Sequence, residues 1–428
     1  MKDVYRLFCP SCRAEQDAQV TRCASCDGLL GVALTRALAP GEGHPFGGVP
    51  GLGAMWLSNP VLPIANADAI VSLGEGGTPC TRAAHLGADA DVAVWFKNEA
   101  ANPTGSFKDR QVSVGISHAL DAAGGAGAQH AVSRQERGDA QFYVVSSGNV
   151  AAAAAAYSAR AGAECWVIAA AWASAAKLRQ VQLCGAHVVR VEGDSAEQLF
   201  RLAEEAAAES GWHSLSTAAR SDPFNIVGAR TIAGEIVEQM PAPDWVVAPV
   251  GGGGLLGSIW QGFQDAARLR QELKLPRFAA VQAAGCAPFV RAVEREWSAE
   301  QACANPWQDA HTIAGGLADD IPFDAHVALP AVRESGGLAV AVSEEDITHA
   351  QRLLAEREGL FIEPSGVVSV AGMLELITDG RIARGDTVCC LLTGSGLKDL
   401  ASIADLPEPP VIGAELTQLR GLVTSTAE

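Results

Sequence analysis

The segment Asn102-Pro-Thr-Gly-Ser-Phe-Lys-Asp-Arg110 places Lys108 at a tight turn before a helical pattern. Only six of the 31 basic residues are lysines, which indicates that this position requires an amine rather than just a positive charge. An amine can lose its proton and attack a carbonyl carbon, whereas a guanidinium cannot. Lys108 is therefore the candidate nucleophile, although the segment by itself also fits an ordinary surface lysine.

Two further turns join an apolar strand to the start of a helix. Strand 142–146 leads into Ser146-Ser-Gly-Asn149, where hydroxyls and backbone N–H groups could bind a carboxylate at the helix N-terminus. Strand 245–250 leads into Gly251-Gly-Gly-Gly254, whose backbone can direct several N–H groups toward one phosphate. The glycine turn lacks the features of an ATP or NAD site. The serine turn alone could equally be a simple helix cap.

Apolar strands alternate with helical patterns, which predicts an α/β fold with parallel sheets and crossover helices. The predicted strands are 92–96, 142–146, 165–169, 187–191, 245–250, 279–283, 338–342 and 387–392. The last strand ends in Thr393-Gly-Ser-Gly-Leu-Lys-Asp399, so the hydroxyls of Thr393 and Ser395 also lie at a strand end. Residues 123–141 are predicted to form a surface loop and are assigned no chemistry.

The first 30 residues contain two Cys-x-x-Cys pairs separated by ten residues. Four thiolates at this spacing are typical of a tetrahedral zinc site with no open position for catalysis. The predicted ligands are Cys9, Cys12, Cys23 and Cys26. The segment is therefore predicted to be a zinc-ribbon-like appendage, and a relic without metal is the alternative.

With 428 residues, 48% of them hydrophobic, the chain is long enough for two domains and a small appendage. The net charge of −18 argues against a nucleic-acid-binding protein, but not against a small anion held by backbone N–H groups. No apolar run reaches membrane-spanning length, and the first residues do not form a signal peptide. We expect a cytoplasmic protein without a membrane partner, whose remaining cysteines are buried structural thiols.

Together the motifs resemble those of fold-type II pyridoxal-phosphate enzymes, above all the threonine synthase branch. The resemblance extends over about residues 70–405 and includes Leu73-Gly-Glu-Gly-Gly-Thr-Pro79 and, with less certain roles, Glu363-Pro-Ser-Gly366. It implies two domains with three layers around parallel sheets, and a homodimer. The predicted parts are the ribbon-like segment (1–35), a connecting arm (36–73), the large cofactor-binding domain (74–115 and 236–405), the small domain (116–235) and a C-terminal tail (406–428).

The resemblance also assigns roles to the motif residues. It implies that the Lys108 amine holds pyridoxal 5′-phosphate through the aldehyde, and that Asn149 donates a hydrogen bond to the ring hydroxyl. Ser146 and Ser147 would bind the substrate carboxylate. Thr393, with Ser395 as second candidate, would contact the pyridine nitrogen; an alcohol there suits elimination rather than transamination. The cofactor phosphate would be bound by Gly251, Gly252, Gly253 and Gly254.

One segment departs from the threonine synthase pattern. Asn225 stands where the family carries a phosphate-binding arginine, Asp222 replaces an asparagine, and Val150 follows Asn149 where a threonine is usual. A side chain that could bind a phosphate through two hydrogen bonds is thus replaced by a neutral amide. Asn225 and Arg230 are the predicted substrate-binding residues of this segment, and either Arg220 or Arg230 is a candidate to replace the missing arginine.

The resemblance implies a lyase that acts on a small amino acid. We rank conversion of O-phosphohomoserine and water to threonine and phosphate first, because the lysine segment, the ribbon and the Thr393 segment favour it. The alternative is an amino-acid dehydratase, ammonia-lyase or β-replacement enzyme with a different, possibly unphosphorylated, substrate. A non-catalytic binding protein that retains the fold is the alternative of another class.

Overall fold

The structure is a computed structural model that describes residues 5–10, 12–16, 22–35, 38, 42–58, 61–123, 140–193, 196–270 and 272–425. Residues 124–139, most of the loop predicted at 123–141, lie outside this part of the chain. Within it, strands form three sheets. No helix in the described ranges combines the length and the apolar character needed to cross a lipid bilayer.

The strands are, in chain order, β1 (Tyr5–Phe8), β2 (Glu15–Gln16), β3 (Gly31–Leu34), β4 (Cys80–Arg82), β5 (Ala93–Asn98), β6 (Gln141–Val145), β7 (Glu164–Ala170), β8 (His187–Val191), β9 (His213–Ser214), β10 (Trp245–Pro249), β11 (Arg277–Ala283), β12 (Leu338–Val342) and β13 (Thr387–Leu392). Every predicted strand is present, each within two residues of its predicted bounds. Sequence patterns missed β1 to β4 and β9, which are too short for a clear alternation.

The helices are α1 (Lys108–Ala123), α2 (Asn149–Ala161), α3 (Ala175–Leu183), α4 (Ala196–Ser210), α5 (Thr231–Gln239), α6 (Gly254–Leu269), α7 (Pro288–Glu294), α8 (Ala299–Ala304), α9 (Ala325–Glu334), α10 (Glu344–Glu358), α11 (Pro364–Thr378) and α12 (Leu416–Ser425). Short 3-10 helices include Pro223–Arg230 and Gly396–Lys398. The predicted domain limits stay a prediction; helix α1 runs through the one between 115 and 116.

The large sheet has the strand order β12-β11-β10-β13-β5-β4 and is parallel except for β4 at its edge. Successive residues of β10 point to opposite faces: Val247 packs in the core that includes α11, and Val246 packs in the core that includes α6. Helices therefore cover both faces, as expected of a buried parallel sheet.

The small sheet is parallel, with the order β8-β7-β6-β9. Val144 of β6 packs with α1 and α2, while Tyr143 packs with α4 on the other face. Because the carboxyl ends of parallel strands are the usual site of ligands in α/β proteins, the turns after β6, β10 and β13 are the places to look for chemistry.

The N-terminal strands form an antiparallel sheet in the order β2-β1-β3. This sheet does not have a separate core. Leu30 and Val32 are buried in the same cluster as Ile116 and Leu120 of α1. The ribbon-like segment therefore packs directly against the helix that begins at Lys108.

Candidate active site

The lysine turn is fixed by the strand end of β13. Phe107 N–H donates to the carbonyl of Thr393 (3.1 Å), and Ser395 N–H donates to the carbonyl of Gly105 (2.9 Å). Gly105 has a φ of +86°, a conformation that favours glycine. The turn that carries the candidate nucleophile is thus bonded to the segment that was predicted to contact the cofactor ring.

A buried ion-pair network fixes the first turn of α1. The Arg110 guanidinium donates to Glu99 (2.7 Å) and to Glu235 (2.6 Å), and Lys97 Nζ donates to Glu235 (2.6 Å). Each of these charges is inside the protein, so removal of one partner would leave the others buried and unpaired. The network sets the position of the helix N-terminus and hence of Lys108.

The Lys108 amine contacts polar groups from two distant parts of the chain. Its Nζ donates to Thr217 Oγ1 (2.6 Å) and to Gln111 Oε1 (3.2 Å). Burial lowers the pKa of the amine to about 8, against the opposing charges of Asp319 and Asp324. About a tenth of the amine is therefore uncharged at pH 7, one unit below this pKa, and able to attack a carbonyl or to accept a proton.

The glycine turn joins β10 to α6 and leaves no room for side chains. Gly253 has a φ of +104°, and a Cβ there would lie 2.8 Å from the Cβ of Ala328. A Cβ on Gly254 would lie 2.5 Å from Oδ2 of Asp324, which is closer than carbon and oxygen can approach. Because only glycine fits, the backbone N–H groups at the start of α6 are open to an anion such as a phosphate.

Two carboxyl groups lie against this turn and were not found from the sequence. Asp324 accepts a hydrogen bond from Ala219 N–H (2.8 Å), and Asp319 Oδ2 would be 2.7 Å from a Cβ on Gly251. Burial raises the pKa of Asp319 to about 6 and the pKa of Asp324 to about 7, although Lys108 favours their ionised forms. Both are therefore poised to be protonated when a further anion binds beside them.

The serine turn joins β6 to α2. Ser146 Oγ accepts a hydrogen bond from Gly148 N–H (3.1 Å), and α2 begins at Asn149. Asn149 Nδ2 donates to Glu363 Oε1 (2.6 Å), and burial raises the pKa of Glu363. Ser146 and Ser147 are both partly exposed. The turn offers hydroxyls, an amide and a helix N-terminus to a ligand.

The hydroxyls of Thr393 and Ser395 have different surroundings. Ser395 Oγ accepts from Leu397 N–H (3.3 Å) and so caps the short helix Gly396–Lys398. The Thr393 hydroxyl makes no hydrogen bond within the part of the chain that the structure describes, and its side chain is largely buried. Glu363 N–H donates to the carbonyl of Gly394 (3.0 Å), which connects this strand end with Asn149. Thr393 therefore has the free hydroxyl of the pair.

The predicted substrate residues Asn225 and Arg230 are turned into the protein. Asn225 Nδ2 donates to the carbonyls of Ser214 (3.0 Å) and Ser216 (2.9 Å), and the side chain is buried against α1. The Arg230 guanidinium contacts Asp265 (3.5 Å) and the carbonyl of Val32. Among the described residues, neither side chain contacts Lys108 or the two turns. Their positions follow from packing between α1, the ribbon and Pro223–Arg230.

Thr217, which binds the lysine amine, was also missed. It follows β9, a strand of two residues that pairs with β6. Such a short strand gives no periodic signal, so the usual rule that polar groups at strand ends are candidates could not be applied. Asn225 donates to the carbonyl of Ser214, the last residue of β9, and to that of Ser216, and thereby positions Thr217. The residue that replaces the family's arginine thus has a structural role.

The four N-terminal cysteines come together. Their sulfur atoms lie within 4.8 Å of one another, and the pairs Cys9–Cys26 and Cys12–Cys23 are each separated by 3.5 Å. Tetrahedral zinc–thiolate bonds of about 2.3 Å place sulfur atoms about 3.8 Å apart. The arrangement is therefore compatible with one four-coordinate metal ion.

Comparison with known proteins agrees with this site. The sequence profile of the family "Pyridoxal-phosphate dependent enzyme" matches residues 71–394. The chain is 36% identical to the threonine synthase of Methanocaldococcus jannaschii over 374 residues, which cover 86% of this chain and 87% of that protein. It is 32% identical to the threonine synthase of Methanosarcina acetivorans over 432 residues, which cover 99% of this chain and all of that protein.

Solved structures of similar fold include the processed threonine deaminase isoform 2 from Solanum lycopersicum and a maize serine racemase. The first has a TM-score of 0.60 at 19% identity and covers 82% of this chain and 83% of that chain. The second has a TM-score of 0.61 at 21% identity and covers 82% of this chain and 92% of that chain. The chain belongs to the family of pyridoxal-phosphate-dependent enzymes, and within it is a threonine synthase-like lyase.

Proposed function

We propose that the protein converts O-phospho-L-homoserine and water to L-threonine and phosphate. The observation that carries this proposal is the Lys108 amine, partly uncharged near neutral pH and held by Thr217 beside the glycine turn. The reaction needs one base that removes a proton from Cα of the substrate and later returns a proton to the substrate. An amine with a pKa of about 8 can do both. The relatives named threonine synthase support the choice of substrate.

The residues present fit pyridoxal phosphate. The phosphate would be bound by N–H groups of Gly251–Gly254, where any Cβ on Gly253 or Gly254 would clash. Lys108 would hold the aldehyde carbon, Asn149 would donate to the ring hydroxyl, and the free Thr393 hydroxyl would face the ring nitrogen. When bound, the cofactor supplies the electron sink that makes the Cα proton of an amino acid acidic.

The chain's own groups then act on the substrate. Ser146, Ser147 and the N-terminus of α2 would hold its carboxylate, which fixes the Cα–H bond toward Lys108. The Lys108 amine would accept the Cα proton and deliver it back, while Thr217 and Gln111 hold the amine in place. A proton would move from Cβ to Cγ as the bond between Cγ and the phosphate breaks. Water would then add its hydroxyl at Cβ, and its remaining proton would leave with the phosphate.

A second candidate function is favoured by one observation. The position of the phosphate-binding arginine holds Asn225, whose amide is occupied by two backbone carbonyls. An amino-acid dehydratase or ammonia-lyase acts on a substrate without a phosphate, so it needs no side chain to bind one. Lys108 would be the base in that reaction too, and the product would be a keto acid.

The test is release of phosphate from O-phospho-L-homoserine by the protein loaded with pyridoxal phosphate, with threonine measured in the same sample. We expect equal amounts of both. The variant Lys108→Ala should lose turnover and the visible absorbance of the lysine-bound cofactor. Lys274→Ala, in which an exposed lysine paired with Asp244 is removed, is the matched control and should retain both. Keto acid from unphosphorylated amino acids, without phosphate release, would instead establish the second candidate.

We also propose that Cys9, Cys12, Cys23 and Cys26 hold one structural zinc ion. The sulfur positions support this, and so does the core that β3 shares with α1. Metal supplies much of the folding free energy of such small segments. Removal of zinc with a chelator should therefore lower the melting temperature of the whole protein, with about one zinc recovered per chain. An unchanged melting temperature in protein that releases zinc would argue against a structural role.

The resemblance to the family supports a homodimer in solution, which sedimentation equilibrium would test. The described cysteines are all free thiols, which supports a reducing compartment such as the cytoplasm.

A further inference from the structure

Arg220 is a half-buried cation whose guanidinium lies against two aromatic rings. Its Cζ lies 4.8 Å from the ring centroid of Phe200 and 4.4 Å from that of Phe323, so the two aromatic rings hold the guanidinium. Within the described residues it makes no hydrogen bond and no ion pair. The two ring centroids are 6.4 Å apart, so the rings lie on adjacent sides of the guanidinium rather than on its two opposite faces. The rings therefore restrict the side chain, while its N–H donors make no hydrogen bond to a described residue.

The segment that contains Arg220 lines the active site. Thr217 Oγ1 accepts a hydrogen bond from Lys108, and Ala219 N–H donates to Asp324 beside the glycine turn. The Phe323 ring packs on that turn, since its Cδ2 would be 3.4 Å from a Cβ on Gly252. Arg220 thus contacts a ring that packs on the glycine turn, and it lies three residues after Thr217, which accepts the hydrogen bond from the amine.

The other candidate groups for a substrate phosphate are occupied. Asn225 is neutral and bonded to Ser214 and Ser216, and Arg230 is held by Asp265 and the Val32 carbonyl. Lys108 is used by the chemistry itself. Asp319 and Asp324 lie against the glycine turn, so a nearby cation would favour an anionic substrate group there.

We propose that Arg220, held against Phe200 and Phe323, binds the phosphate group of the substrate in place of an arginine at position 225. The inference rests on the proposed function, because it names the residue that recognises the phosphorylated substrate. A guanidinium can donate two parallel hydrogen bonds to phosphate, and contact with the two rings reduces the side-chain entropy lost when they form. The cofactor phosphate has its own ligands in Gly251–Gly254.

The experiment compares the holoenzyme with Arg220→Gln and Arg220→Lys. Arg295→Gln is the matched control, because Arg295 also stacks on an aromatic ring, that of Trp297, and is exposed elsewhere on the surface. Four quantities are measured: the dissociation constant of inorganic phosphate, that of L-threonine, that of pyridoxal phosphate, and KM and kcat for O-phospho-L-homoserine.

We expect Arg220→Gln to weaken inorganic phosphate binding and to raise KM, each by about 30-fold, which is the size expected for lost hydrogen bonds to a charged group. The affinities for L-threonine, which has no phosphate, and for the cofactor should change by less than about threefold on the same scale. Arg220→Lys should recover part of the phosphate affinity, since the charge remains but the bidentate geometry does not. Arg295→Gln should behave as the unaltered protein.

Two results would overturn the assignment. A lower melting temperature with unchanged phosphate affinity and KM would show that Arg220 only joins Phe200 to Phe323. Weaker cofactor binding with an unchanged KM would place Arg220 on the cofactor phosphate. Failure of the proposed function looks different: the unaltered protein would bind inorganic phosphate in an Arg220-dependent way but release none from O-phospho-L-homoserine.

Discussion

The serine turn after β6 and the glycine turn after β10 both connect a strand to a helix, but only the serine turn has polar side chains. Each follows a parallel strand, each has a glycine at the helix N-cap, and each precedes a long helix. At the serine turn the N-cap Gly148 has open space around it, and the neighbouring side chains supply two hydroxyls and an amide. At the glycine turn the N-cap Gly253 is confined by α9, and every side chain is absent.

Under the proposed function, the two turns bind two different anions. A turn without side chains brings bare N–H groups close to a small, fixed anion, which suits the phosphate of a resident cofactor. A turn with hydroxyls and an amide adds directional donors around a helix N-terminus, which suits an exchanging substrate carboxylate. The predictions below test this division, starting with the largest expected effect.

The two N-cap glycines should respond differently to alanine. Gly253→Ala forces a side chain into a φ of +104°, 2.8 Å from the Cβ of Ala328, so cofactor affinity should fall by about 100-fold. Gly148→Ala meets no atom within 4 Å at a φ of −111°, so the same affinity should stay within about threefold. Fluorescence titration with pyridoxal phosphate measures both, and equal losses would remove the distinction between the turns.

The serine turn should affect the substrate but not the cofactor. Replacement of Ser146 and Ser147 together by alanine should raise KM for the amino-acid substrate by about 20-fold, because donors to a carboxylate are lost. The cofactor dissociation constant should be unchanged. Ser174→Ala is the control, because Ser174 precedes α3 without a side-chain cap. A larger cofactor dissociation constant in the double variant would contradict the proposal that the serine turn binds the substrate and not the cofactor.

The carboxyl groups at the glycine turn should make phosphate binding depend on pH. Burial places the pKa of Asp319 at about 6 and that of Asp324 at about 7, so both lose their protons as the pH rises from 6 to 8. Their negative charge then opposes the cofactor phosphate. The affinity for pyridoxal phosphate relative to pyridoxal should therefore fall by about tenfold over this range, since one pKa unit corresponds to a tenfold change.

The ratio of the two ligands removes the contribution of Lys108, whose amine loses its proton near pH 8 and reacts with either aldehyde. Asp319→Asn should flatten the pH dependence of the ratio, and the control variant Asp68→Asn, at an exposed carboxyl, should leave it as it is. A ratio that rises with pH would mean that the two carboxyl groups do not sense the phosphate.

Much of the fold and the main parts of the site could be predicted because their signals are local. A run of four glycines after an apolar strand, or a serine turn before an alanine-rich helix, has the same meaning wherever the chain places it. Parallel strands of five or more residues were equally clear. The short strands β4 and β9 and the ribbon strands could not be predicted, since their pairing depends on partners far along the chain.

The directions of side chains depend on packing, and here sequence reasoning was least successful. Asn225 and Arg230 were predicted to face the substrate, but the 3-10 helix Pro223–Arg230 packs between α1 and the ribbon and turns both inward. The ribbon itself was expected as an appendage, yet it shares a core with α1.

By itself, the sequence determined the α/β alternation and predicted the nucleophile Lys108 and the two anion-binding turns, because each depends on residue type and near neighbours. Only the tertiary structure decided that Thr217 accepts a hydrogen bond from the amine, that Asp319 and Asp324 lie against the glycine turn, and that Arg220 lies against Phe323. These contacts join residues roughly 70 to 110 positions apart, and they exist only once the two sheets are packed against each other.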